Sequence, residues 1–193
     1  MSSVEQYIYR KVAAQTAHGL LQNDFVILDT ETTGLDSSAR VVSLAVIDRD
    51  GREIINTLIN PGRPIPYEAT AIHGIRDADV RDAPSMAVIA PHLEHLTATR
   101  PTYIYNSDFD LKMLMQHMGR MPTMLRHTCV MKLYAQFKGE KGSYGSWKWH
   151  KLTAACAQLG IGEIQSPAHS AIGDCLRTLA VLRAMADWYI SNK

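Results

Sequence analysis

The apolar positions of the chain follow a helical spacing in some stretches and run continuously in others, and the alternation between the two marks its elements. Val4, Ile8, Val12, Leu20 and Leu21 give an imperfect apolar face, so residues 4–21 read as a helix ahead of the first strand. Phe25, Val26, Ile27 and Leu28 form an unbroken apolar run, which predicts a short strand buried on both faces. Residues 41–47 read as a second strand, Asp50-Gly51 as a tight hairpin, and residues 53–59 as the returning third strand, all antiparallel. Residues 60–66, rich in proline, are loop, and a short helix covers residues 67–72. A helix is expected over residues 84–96, with Pro84 in its first turn and Pro91 kinking or splitting it. Residues 102–105 read as a strand, and Leu111, Leu114, Met115 and Met118 then recur at helical spacing, the methionines as core filler. Residues 138–146 form a polar, glycine-rich loop. Residues 147–159 open and carry a helix that Gly160 ends. The last helix runs from near His169 to about Ile190, with Ile172, Leu176, Leu179 and Leu182 inward.

Composition sets bounds on this picture. With 193 residues, 46% hydrophobic and 20% charged, the chain suits one globular domain with a full core. No apolar run is long enough to span a membrane, and the first residues lack a signal pattern, so a cytoplasmic protein is expected. Cys129, Cys156 and Cys175, without a Cys-x-x-Cys pair, read as reduced core thiols. The net charge of +1 is uninformative, but its distribution is not. Residues 111–152 carry Lys112, Arg120, Arg126, Lys132, Lys138, Lys141, Lys148 and Lys151 against Glu140 alone. That asymmetry points to a polyanion on one side of the molecule, although scattered solvated lysines would look the same.

The apolar run at 25–28 leads straight into Asp29-Thr30-Glu31. Side chains alternate along a strand, so the two carboxylates share a side and Thr30 points away. Their repulsion is relieved by protonating one or by binding a cation, and hard oxygen ligands suit Mg²⁺ or Mn²⁺. An isolated Asp-x-Glu equally describes a strand end with two solvated acids. Two more acidic clusters flank core elements, however: Asp110 after the strand at 102–105, and His169 with Asp174 at the start of the last helix. Ends of core strands are where open α/β sheets place their sites.

Asp-Thr-Glu-Thr-Thr-Gly-Leu at 29–35, Asn-x-x-Phe-Asp at 106–110 and His-x-x-x-x-Asp at 169–174 resemble, in order and spacing, the three motifs of the DEDDh family of 3′–5′ exonucleases. That family includes the proofreading subunit of DNA polymerase III, ribonuclease T and exonuclease X-like enzymes, and the resemblance covers roughly residues 24–190. Residues 71–75 resemble a further family segment near the bound 3′ end. The resemblance implies an α/β, ribonuclease H-like fold with a mixed five-stranded sheet flanked by helices. Residues 1–22 would be an N-terminal accessory helix and 23–193 the exonuclease domain. It also implies that Asp29, Glu31 and Asp174 are direct ligands of a pair of Mg²⁺ or Mn²⁺ ions, with Asp110 supporting the second ion directly or through water. His169 would be the general base. Thr32, Thr33, His73, Asn106, Lys148 and Lys151 are candidate substrate contacts.

The chemistry suits these residue types: hydrolysis of a phosphodiester needs an activated water and a stabilised leaving oxyanion, which paired divalent ions supply. A histidine with a pKa near ~6.5 is mostly neutral at cellular pH and able to accept a proton. Tyr105 stands where relatives often carry histidine, so altered positioning is expected there. Asp108 reads as a surface or capping residue. Trp147 and Trp149 either stack on bases or anchor the helix that follows. The expected partner is nucleic acid with a free 3′ end, single-stranded DNA favoured, with a homodimer and a polymerase partner left open. RNA 3′-end trimming and a non-catalytic binding module are the alternatives.

Overall fold

The computed structural model describes residues 2–166 and 169–193, with Tyr144 described by its backbone alone. The elements run α1 (Ser3–Leu20), β1 (Val26–Thr32), β2 (Val41–Asp48), β3 (Glu53–Leu58), α2 (Tyr67–His73), α3 (Asp77–Val80), α4 (Met86–Thr99), β4 (Thr102–Ile104), α5 (Ser107–Met118), β5 (His127–Cys129), α6 (Val130–Lys138), α7 (Leu152–Gln158) and α8 (Ala171–Ser191). They build one mixed sheet of five strands in the order β3-β2-β1-β4-β5. β1, β2 and β3 are antiparallel neighbours, whereas β4 and β5 run parallel to β1. This is the ribonuclease H-like arrangement the motifs implied.

β1 is the central strand, and its side chains feed two cores in alternation. Val26 and Leu28 pack with Leu93, Leu96, Leu111 and Leu114 of α4 and α5. Phe25 and Ile27 pack on the other face with Tyr134 of α6 and Leu179 and Leu182 of α8. The alternation decides what happens at the strand's end: Asp29 and Glu31 continue the α8 side, and Thr30 continues the α5 side.

Several elements differ from the sequence-based expectation. In α1 the predicted apolar face, Val4, Ile8 and Val12, is about half exposed or more, and Ala13, Ala14 and Ala17 are the fully buried residues. α1 lies against α6 and α8, where small side chains permit a close approach. Pro91 sits within α4 without splitting it. It faces solvent, while Met86, Ala90, Leu93 and Leu96 on either side of it are held in the core. Residues 147–151 are not helical. Their backbone is drawn into pairing with the preceding turn, through the Lys141–Trp147 bridge and Lys148 N–H to Glu140 O at 2.9 Å, so α7 starts only at Leu152. α8 likewise starts at Ala171, two residues after His169, because the Ser170 side chain caps it by accepting from Gly173 N–H.

Candidate active site

Three carboxylates meet where β1 passes α8. One oxygen each of Asp29, Glu31 and Asp174 lies within 4.8 Å of the others. β1 supplies the first two on one side, and the first turn of α8 supplies the third. Asp110 is not in that trio; it approaches from the opposite face, on the first turn of α5. Its Oδ1 accepts from the backbone N–H of Thr30 at 3.1 Å and from the Thr30 hydroxyl at 2.7 Å. Thr30 points away from its two acidic neighbours, and the side it points to is where Asp110 stands.

The electrostatics of this cluster are those of carboxylates crowded together out of water. Burial, and then the charges of Asp110, Asp174 and Glu31, push Asp29 well above the usual carboxylate range. Burial with the neighbouring Asp174 and Asp110 pushes Glu31 up to about 8. Burial raises Asp110 to about 7 against the two Thr30 hydrogen bonds. Asp174 is raised by burial too, opposed by Arg177, whose guanidinium lies 3.0 Å from its Oδ1, and by His169. A cluster of oxygen donors with mutually raised pKa values is relieved by a hard divalent cation, so the residues fit such an ion.

Two clefts reach the acids, one at Glu31 and the other at Asp174. The first, of about 470 Å³, is lined by Glu31, Thr32, Thr33, Leu35, His73 and Phe109 among others. His73 is fixed there: its Nδ1 accepts from Ile75 N–H at 3.0 Å, so its Nε2 carries the proton and donates to Thr32 O at 3.3 Å. The turn after it is set by Gly74, a left-handed cap with φ of 78°. Thr32 and Thr33 are buried, and their hydroxyls bond Gly34 O and Arg40 N–H. These contacts shape the cleft wall.

The second cleft, of about 410 Å³, is lined by Asn106, Trp149, Lys151, His169 and Asp174 among others. His169 is exposed and Asn106 half-buried; both have left-handed backbones, with φ of 56° and 71°. Lys151 lines this cleft, but Lys148 does not; its ammonium is 3.2 Å from Glu140 Oε2. Much of the basic segment is paired in this way, Arg120 with Glu94 and Lys132 with Asp108. Asp108 is thus a surface partner of Lys132, distinct from the buried Asp110. Trp147 packs edge-on against Tyr9 with Lys141 over its ring, so it anchors the segment, while Trp149 is 58% exposed. Tyr105 is buried and its hydroxyl donates to His150 O at 2.9 Å, a contact between residues 45 apart that no spacing announces.

The three cysteines are free, with Cys175 buried beneath the acids and the other two half-buried. No helix of the described residues is long and apolar enough to cross a membrane.

Comparison with known proteins agrees with the geometry. The chain is 38% identical over 182 residues to an uncharacterized exonuclease, CP81, of Escherichia phage 186, covering 90% of this chain and 93% of that one. It is 32% identical over 165 residues to exodeoxyribonuclease 10 of Escherichia coli K12, covering 81% and 66% of the two chains. A DNA polymerase III subunit epsilon-like protein of Rhodobacter capsulatus is 31% identical over 170 residues, 80% of this chain but only 22% of that longer protein. Among solved structures, exonuclease X in complex with 5′ overhanging duplex DNA superposes with a TM-score of 0.66 at 28% identity, over 85% of this chain and 92% of that one. The Exonuclease family, RNase_T, matches residues 26–182, a span that holds all four acids and His169, and the chain therefore belongs to that exonuclease family.

Proposed function

We propose that this protein is a Mg²⁺- or Mn²⁺-dependent exonuclease that removes nucleotides from the 3′ end of DNA, single-stranded or frayed. The observation that carries this reading is the convergence of Asp29, Glu31 and Asp174 to within 4.8 Å, from two elements separated by most of the chain. A divalent pair held there would polarise the scissile phosphate and stabilise the oxyanion that leaves.

The chain's own residues divide the remaining work. Asp29, Glu31 and Asp174 hold the cations, and Asp110, kept in place by Thr30, supports the second of them. His169, exposed in the cleft that also contains Asp174, takes the proton from the attacking water. The cleft beside Glu31 takes the terminal nucleoside, with Leu35 and Phe109 as its apolar walls and His73 holding its far side through Thr32. DNA as substrate is supported by the likeness to exodeoxyribonuclease 10 and to a DNA-bound exonuclease X, and the 3′ polarity by the resemblance of the three motifs.

The test is a gel assay on single-stranded DNA, duplex DNA and RNA, labelled at either end, with Mg²⁺, with Mn²⁺ or with a chelator. A ladder of products retaining the 5′ label, absent with chelator, is expected from DNA. Preferential loss of RNA would move the substrate to RNA 3′ ends. Binding without cleavage in either metal would overturn the enzyme reading. Co-purification with a polymerase subunit would test the partner suggested by the epsilon-like relatives.

A further inference from the structure

The segment just before α7 alternates in a way the catalytic residues do not explain. Trp149 and Lys151 are exposed, and His150 between them is 6% exposed. The buried histidine is held through its carbonyl, its Nδ1 and its ring, while its Nε2 has no hydrogen-bond partner among the described residues. Its carbonyl accepts from the Tyr105 hydroxyl at 2.9 Å, and its Nδ1 meets Gln158 Nε2 at 3.4 Å. Its ring stands edge-on to Tyr134 at 5.7 Å, and Tyr134 in turn donates to Gln158 Oε1 at 2.8 Å. Its Nε2 faces Glu140 Oε2 at 3.7 Å, which Lys148 and Lys138 hold from the other side.

His150 is anchored inward, and the residues on either side of it are left exposed. Trp149 and Lys151 both line the cleft that contains Asn106, His169 and Asp174. Trp147, two residues earlier, is covered by Tyr9 and Lys141. Among the described residues no ring or cation covers Trp149. An exposed indole and an ammonium lining one cleft that reaches Asp174 offer a platform for a base and its phosphate.

The terminal nucleoside has its own cleft on the Glu31 side of the acids. We propose that Trp149 and Lys151 form the subsite for the next nucleotide of the DNA strand, the indole stacking on its base and the ammonium pairing with its phosphate. The subsite rests on the exonuclease reading above and names which residues grip the strand. Tyr105 and His150 act through it as positioning residues. This gives Tyr105 a role at the place where it departs from the family pattern.

The test is a kinetic cycle on single-stranded DNA oligonucleotides that are either intact or abasic at the nucleotide next to the 3′ end. Trp149→Ala should lower kcat/KM about tenfold on the intact strand, within the range base–aromatic stacking supplies. The abasic substrate should cost the unaltered protein a similar factor, and the two losses should not multiply. Trp149→Phe should recover most of the loss. Lys151→Ala should flatten the salt dependence of KM by about one phosphate contact. Tyr105→Phe should raise KM several-fold on the intact strand and leave the abasic one unaffected. If the two losses multiply, or if Trp149→Ala degrades the intact strand like the unaltered protein, the subsite is wrong while the exonuclease reading stands. If the unaltered protein cleaves neither strand in Mg²⁺ or Mn²⁺, both readings fail.

Discussion

Thr30 gives its backbone N–H and its hydroxyl to the same oxygen of Asp110, 80 residues away, at 3.1 and 2.7 Å. This pair joins the two faces of the sheet at the site. The residue between two clustered carboxylates points through to the other side and seizes the fourth acid by one oxygen.

Thr30→Val keeps the shape and the N–H donor but removes the hydroxyl. The lost bond costs about 0.5–1.5 kcal/mol of stability, and Asp110 should be less well aimed. A fall in kcat of roughly three- to tenfold with KM little changed is expected, about 1 kcal/mol in the transition state. An unchanged kcat in steady-state kinetics would show that the hydroxyl does not orient Asp110.

His169→Ala should lower kcat by roughly two to four orders of magnitude, the range of a lost general base. A rate within a few-fold of the unaltered protein would remove His169 from the chemistry.

The acid cluster makes the metal-free protein sensitive to pH. A carboxyl whose pKa is higher folded than unfolded binds more protons in the folded state, so stability falls as pH rises toward the folded value. Glu31 is raised to about 8 and Asp110 to about 7, with Asp29 and Asp174 also raised. Burial lowers His73, His117 and His150, which works the other way and removes stability below their ordinary value of 6.5. The carboxyl effect is therefore legible between pH 6.5 and 8. In chelator, Tm should drop by several degrees over that interval, since 1 kcal/mol moves Tm by about 2–4 °C for a chain of this size. Mg²⁺ at pH 8 should restore it. A flat Tm in chelator, or one indifferent to Mg²⁺, would contradict the site's electrostatics.

Gly74 has a φ of 78°, and an added Cβ there would meet nothing within 4 Å. Gly74→Ala therefore tests backbone strain alone, at about 1–2 kcal/mol. Thermal melts should show a loss of a few degrees, and KM should rise if the turn holds His73 against Thr32 as described. No change in Tm would mean that the turn relaxes.

What the sequence disclosed follows from how local each signal is. The strand ending in Asp29 and Glu31 announces itself because apolar run, acids and turn are consecutive. Its antiparallel neighbours were readable from Asp50-Gly51. β5 was not, because three residues with a half-exposed pattern carry no period, and α6 after it went unread as well. The alanine face of α1 was hidden because alanine is common on both the buried and the exposed face of a helix, so the valines and isoleucine drew attention to the wrong side. The pairing of Lys148 with Glu140 and the anchoring of His150 depend on how residues 140–151 double back, which no spacing encodes. Four acids and a histidine could be named in advance as candidates, and three of those acids converge. The division of labour between Trp147 and Trp149 needed coordinates.

α1 has a last consequence for anyone trimming this chain to the span that matches its family. Arg10 Nε and Gln6 Nε2 donate to Phe137 O and Lys138 O at the end of α6, at 3.1 and 3.4 Å. Cutting before β1 would strip the donors from those carbonyls, bare the side of α8 that Ala13 and Ala17 cover, and unseat the ring that Trp147 rests on. The shortened fragment would keep every acid and still lose the buttress behind residues 137–147.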